Sequence, residues 1–218
     1  KDDLTRYNGT DFYVFRPVKD DKNSLYNNNI GTICGDKQGH IYIRCKYAVV
    51  EYDIKKNTFH TIRDNDIQAI SYGNTQLWVC TRDSLFTYNR VEDKLDYYYN
   101  LEGARMSCVI EDSDGNLYVG TMNNGLYMID GNKKWLNYLP KKDITCIYED
   151  SKKSIWVGTK DDGLFRLDRN GGITNYGTAP HQNMLSSSYV RCIVEDNLGN
   201  YWIGTFKGLD KLNAATGT

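Results

Sequence analysis

The sequence predicts an all-β chain built from repeated four-stranded antiparallel units, and three observations predict it. One phrase is written three times, as EDSDGNLYVGT at 111–121, EDSKKSIWVGT at 149–159 and EDNLGNYWIGT at 195–205. The composition of 18 Tyr, 4 Trp and 19 Gly against 3 Pro favours half-buried strands joined by tight turns. Apolar residues come in short runs bounded by Asp, Asn and Gly, with no amphipathic stretch at helical spacing. A phrase that recurs every ~20–50 residues states an architecture, whereas an active site is usually written once.

The elements follow in order. LTRYN (4–8) and FYVFR (12–16) read as the third and fourth strands of a partial unit, 1–19. The first full unit, 30–62, contains IGTICGDKQGHIYIRC, VVEYD and TFHTI. The second, 67–99, contains IQAISYGNTQLWVCT, SLFTYN and LDYYY. In the third, 106–138, CVIED runs into the turn SDGN, then LYVGT, LYMID and a strand near 135–138. The fourth, 144–176, repeats this as ITCIYED, SIWVGT, GLFRLD and GITNY. The fifth, 190–213, has VRCIVED, NYWIGT and GLDKLN and lacks an outer strand. Paired strands joined by short Asp/Gly turns are hairpins, and hairpin upon hairpin is a meander.

The aromatic of each second strand falls at Tyr42, Trp78, Tyr118, Trp156 and Trp202, in steps of 36, 40, 38 and 46 residues. A four-stranded unit of ~40 residues is the blade of a β-propeller, in which each sheet buries its face against the next. Trp78, Tyr118, Trp156 and Trp202, with Gly120, Gly158 and Gly204, are therefore expected to be structural positions, the aromatics wedged between neighbouring blades. The opening strand pair leaves one strand with no vacancy in a closed five-bladed ring. The chain thus reads as a β-propeller of about five units that closes one blade from both termini or, as the extra strand favours, as one segment, 1–218, of a larger propeller.

The 218 residues are 40% hydrophobic and 25% charged, as in an ordinary globular protein. A net charge of −1 argues against a nucleic-acid partner. No run is long and apolar enough to span a membrane, and no signal peptide is visible, so no membrane contact is expected of this segment.

Over 106–130, 144–168 and 190–213 the pattern I-x-x-I-x-E-D-x-x-G-N-x-W-x-G-T-x-x-x-G-L-x-x-x-D resembles the two-component regulator propeller repeat. FRPVKDDKNSLYNNNI (15–30) and HQNMLSSSYV (181–190) are similar to its N-S-L-x-x-N-x-I connection. LTRYNGTDFYVF resembles its G-L-x-R-Y-N-G passage, with Asp3 where Gly belongs. The second unit departs most, with Gly73, Asn74 and Thr75 at the turn and Cys80 in place of the Gly. The resemblance implies the extracytoplasmic sensor region of a hybrid two-component histidine kinase/response regulator. Such regions precede a membrane span and a kinase, and many sense oligosaccharides. It therefore implies a periplasmic part of an inner-membrane protein, with further blades or a second propeller in the parent chain and homodimers as partners.

Asp112, Asp114 and Asn116 resemble the start of a calcium loop, but Asn123 stands where the closing Glu belongs and the fourth unit has Lys152 and Lys153 in the turn. The turn reading wins, and no metal or cofactor is expected. Six Cys lack CxxC spacing and only three His (His40, His60, His181) accompany them, which disfavours zinc. Cys108, Cys146 and Cys192 share one register and read as small core residues. Glu111, Glu149 and Glu195 also recur, which points to a hairpin role, and no nucleophile–base or carboxylate-pair signature marks catalysis.

Strand order places the loops after each second strand at one end, with the connections between blades, and the Asp/Gly turns at the other. The first end carries Arg44, Lys46, Tyr47, Arg82, Asn123, Asn124, Lys160, Phe206 and Lys207. Cations, amides and aromatics suit a polyhydroxylated or carboxylated sugar. The expected function is an extracytoplasmic sensor segment binding an oligosaccharide or similar polar ligand and controlling a kinase elsewhere in the parent chain. The alternatives are an assembly module without a ligand of its own, or a propeller glycan hydrolase or lyase.

Overall fold

A computed structural model describes residues 3–177 and 185–213, leaving His181 and part of the last connection outside the described residues. Every regular element in them is a β-strand. The chain divides into two compact units, Lys1–Glu102 and Gly103–Thr218.

The first unit opens with a two-stranded hairpin, β1 (Leu4–Tyr7) and β2 (Phe12–Phe15). Blade one follows as β3 (Ile30–Gly35), β4 (His40–Cys45), β5 (Ala48–Asp53) and β6 (Thr58–Arg63). Blade two is β7 (Ala69–Tyr72), β8 (Leu77–Cys80), β9 (Ser84–Asn89) and β10 (Lys94–Asn100). Each is a four-stranded antiparallel sheet in sequential order. The core lies between sheets: Tyr42 and Val49 of blade one pack on Ile70, Leu77, Val79 and Tyr88 of blade two. Leu4 and Phe15 of the hairpin cover Ile43, Val50, Tyr52 and Phe59 on the other side of blade one.

The second unit holds blade three, β11 (Arg105–Glu111), β12 (Leu117–Met122), β13 (Leu126–Ile129) and β14 (Trp135–Tyr138). Blade four is β15 (Ile144–Glu149), β16 (Ile155–Thr159), β17 (Leu164–Leu167) and β18 (Ile173–Tyr176). Blade five has three strands, β19 (Val190–Glu195), β20 (Tyr201–Thr205) and β21 (Leu209–Leu212). Burial again sits between blades, with Ile144, Ile155 and Val157 against blade three and Val190, Tyr201 and Ile203 against Trp156. The described strands form successive antiparallel sheets in sequence order, an all-β architecture of β-propeller blades.

The recurring phrase has a physical role at each letter. The Asp caps the hairpin turn: Asp150 Oδ1 accepts the amides of Lys152 and Ser154 at 2.9 and 2.8 Å, and Asp112 and Asp196 do the same in their own turns. This is the turn reading of Asp112, with the carboxylate committed to backbone amides. The Glu before it reaches backwards. Glu149 accepts the Ser113 amide and hydroxyl of the preceding blade, both at 2.8 Å, and Glu195 accepts those of Ser151 at 2.7 and 2.8 Å.

The Gly answers a cysteine. A Cβ on Gly120, Gly158 or Gly204 would lie 2.5 Å from the sulfur of Cys108, Cys146 or Cys192 across the hairpin. On Gly120 and Gly158 it would also strike Ile144 or Val190 of the next blade. All six cysteines are free thiols, and burial pushes those of Cys108 and Cys146 up to about 12. Trp78 and Trp156 are enclosed, at 2% and 1% exposure. Trp202 departs from the expectation: it is half-buried, its Nε1 donates to Asp196 at 3.0 Å, and Lys211 lies over its ring.

Candidate functional site

The loops after the second strands and the inter-blade connections do interlock at one end within each unit. In the first unit the Lys46 amide donates to Asn29 O and the Ile67 amide to Tyr47 O. In the second, Gly125 donates to Lys142 O, Lys160 to Asp143 O, Gly163 to Ser188 O and Phe206 to Tyr189 O. The topology read from strand order therefore holds at the backbone.

The predicted side chains separate into two groups. Arg44 lies on β4, half-buried, with its guanidinium against Gly31 and Nη1 donating 2.7 Å to the Lys46 carbonyl. Burial lowers its pKa, and its Nε is enclosed without a hydrogen bond. Its first role is to hold the turn beside it. Lys46 occupies that turn in the left-handed region (φ 54°), with Nζ 5.6 Å from the centre of the exposed Tyr47 ring. Arg82 is exposed beside Asp66, whose carboxylate receives its amide. Asn124 lends its carbonyl to Asn137, and Asn123 donates its amide to Asp143, so both also serve their loop. Lys160, Phe206 and Lys207 point to solvent.

At blade five the structure adds residues that sequence reasoning missed. Tyr189 and Phe206 lie parallel, 3° apart with centroids at 5.9 Å, and the Arg191 guanidinium sits 5.2 Å from each. The signal was a bulge. The inner strands β11, β15 and β19 each slip register near their start, and an extra residue there re-aims its side chain. Ser107 and Thr145 use it to donate to the Ile144 and Val190 carbonyls of the following blade at 2.6 Å, whereas Arg191 uses it to reach the aromatic pair. This corner of the second unit thus offers an aromatic plate with the Arg191 guanidinium against it.

None of the predicted ligand-binding side chains lines two clefts elsewhere on the described surface. One of about 710 Å³ lies against Pro17, Val18, Lys22, Leu25 and His60 of the first unit. Another, of about 330 Å³, surrounds Glu51, which is 6% exposed and held by a bidentate Arg90 contact of 3.0 Å on each oxygen. Those side chains pair with one another, joining blades one and two. Among the described residues, no group of three or more His, Cys, Asp or Glu is arranged to hold a metal ion.

Comparison with known proteins bears on the scaffold. No curated protein matches the chain. Among solved structures it is similar to the extracellular domain of a "putative hybrid two component system" from B. thetaiotaomicron, with 20% identity and a TM-score of 0.61 over 96% of this chain and 37% of that one. The extracellular domain of a "putative one component system" from the same organism matches with 14% identity and a TM-score of 0.74 over 96% and 31%. Virginiamycin B lyase from Staphylococcus aureus matches with 13% identity and a TM-score of 0.78 over 99% and 75%. The chain thus spans about a third of the length of the two extracellular domains. At such identities these likenesses show the fold alone. The family model "Two component regulator propeller" matches residues 100–123, 138–161 and 184–207, the stretches through which the chain enters blades three, four and five.

Proposed function

We propose that the chain is an extracytoplasmic sensor segment of a hybrid two-component signalling protein. In this reading it binds an oligosaccharide or similar polar ligand at the ends bearing the second-strand loops and controls a kinase elsewhere in the parent chain. The three matches to the regulator propeller model support this reading, because the resemblance implies the sensor region of such proteins. The local chemistry is consistent with it. Lys46 with Tyr47 in the first unit, and Arg191 and Lys207 with Tyr189 and Phe206 in the second, each combine a cation with an exposed ring. Ring faces stack on sugar carbons, and cations bind hydroxyls or carboxylates.

The test is signalling by the full-length protein. Arg82→Ala and Lys207→Ala remove exposed side chains and should change stability by no more than about 0.5 kcal/mol. Each should weaken ligand response by about 1.5–3 kcal/mol, the worth of a charge-assisted hydrogen bond. Normal signalling by both variants would sink the assignment of this end.

A second reading, an assembly module, draws on the outer side of blade five. Val194, Leu198 and Leu209 are exposed there at 53, 86 and 65%. If that side mediates assembly, Val194→Asp should alter the oligomeric state in light scattering and leave ligand response intact.

A further inference from the structure

Within the second unit one position of the repeat is filled in two ways. Between blades four and five, Trp156 and Tyr201 pack at 4.4 Å between centroids, and Trp156 Nε1 and Tyr201 Oη both donate 2.8 Å to Asp150 Oδ2. Tyr176 backs the indole at 5.3 Å and the Arg166 guanidinium lies 5.7 Å from its centre. That interface is closed. Strand register gives the counterparts one blade earlier: Tyr118 for Trp156, Ile155 for Tyr201, Tyr138 for Tyr176 and Met128 for Arg166. A phenol and an isoleucine replace an indole and a phenol. The volume they do not fill is a cleft of about 380 Å³ between blades three and four, at the end bearing the Asp/Gly turns.

The lining of this cleft is chemically divided. Tyr118, Tyr138 and Met128 are half-buried and form an apolar, aromatic wall, while Asp114, Lys153 and Arg169 form the rim. Asp114 accepts from Lys153 Nζ at 2.7 Å and also from Arg169. On the same rim Asp168 is paired with Arg166 at 2.9 Å. The rim charges are therefore matched inside the protein, and a charged ligand would have to break a pair to gain one. Hydroxyl groups pay no such cost, since they donate to the carboxylates and accept from the cations while the pairs persist. Small-molecule pockets span ~300–1,000 Å³, so this cleft is at the small end.

We propose that the cleft between blades three and four binds a single neutral pyranose ring. One carbon face of the sugar stacks on the tyrosine wall, and its hydroxyls bridge Asp114 to Lys153 and Arg169. This site is distinct from the loop-end site and does not depend on it, since it stands at the other end of the blades and uses none of the same residues.

The experiment titrates the intact chain with the neutral methyl glycosides of glucose, galactose and mannose, and with methyl glucuronide as the charged control. Tyrosine ring resonances are followed by NMR. At least one neutral glycoside should bind in the millimolar range, shift the Tyr118 and Tyr138 signals, and outcompete the glucuronide. The paired change Tyr118→Trp with Ile155→Tyr rebuilds the closed interface of the next blade and should weaken that binding at least tenfold, about 1.4 kcal/mol. Arg169→Ala, at a solvent-facing position, should weaken it about fivefold with the fold intact, which keeps the test decisive if the paired variant fails to fold. The proposal is overturned if none of the neutral glycosides moves the two tyrosine signals, if the glucuronide binds as well as they do, or if Arg169→Ala binds with unaltered affinity.

Discussion

At the scale of single residues, Asp150 and Trp156 show how much one repeat position can carry. Asp150 is 5% exposed and receives two turn amides, an indole N–H and a phenol O–H. Trp156→Ala removes the enclosed ring and leaves that carboxylate short of a donor, so it should cost about 3–5 kcal/mol in urea denaturation. Trp202→Ala should cost clearly less, because Trp202 is only half-buried. The cysteines separate in the same manner. Cys45 and Cys80 are fully buried, Cys108 and Cys146 are pushed up to about 12 by burial, and Cys192 is exposed. A maleimide at neutral pH should label Cys192 first in the native chain, and all six after unfolding.

At the scale of elements, the links between blades are the Glu-to-Ser contacts and the bulged hydroxyls. A double-mutant cycle on Ser113→Ala and Glu149→Ala should return a coupling of about 1 kcal/mol, and the same cycle on Ser113 and Glu195 should return none. Blade limits and the turn were legible in the sequence because they rest on local spacing: the ED pair, the turn and the aromatic two positions into the next strand. Other features were not legible. The burial of Trp202 depends on a neighbour that spacing cannot supply, and the Arg191 plate depends on a one-residue slip in β19 that leaves the motif unchanged. Arg44 was read as a loop cation, but it lies within β4, paired with Val49, and its guanidinium lies against Gly31. The cleft beside Tyr118 was written in the sequence as Tyr for Trp and Ile for Tyr, yet its meaning needs the register of two blades.

At the scale of the whole molecule, acid is the simplest probe of the capping carboxylates. Hydrogen bonds from the Asn200 side chain and amide hold Asp196 well below its ordinary value, and Lys153 with Arg169 lowers that of Asp114. An unfolded Asp titrates near ~3.9, so these groups bind protons more readily once the chain unfolds. Their contribution is present above that value and is lost as the pH falls through the lower, folded values. The urea midpoint should therefore stay level from about pH 7 to 5 and drop below about pH 4, and Asp196→Asn should flatten part of the drop.

The backward reach of Glu149 and Glu195 has a consequence for how such a chain lengthens. The ~40-residue segment of blade three or of blade four carries both halves of the joint, a serine in its turn for the segment that follows and a glutamate in its inner strand for the one before, whereas blade five keeps the glutamate and has Asn197 in place of the serine. A tandem duplication of that segment would arrive with its fastening already made, needing no compensating change elsewhere. Size is then free to drift by whole copies, while a swap as small as Tyr118 for a tryptophan decides whether a given seam is mortar or a door.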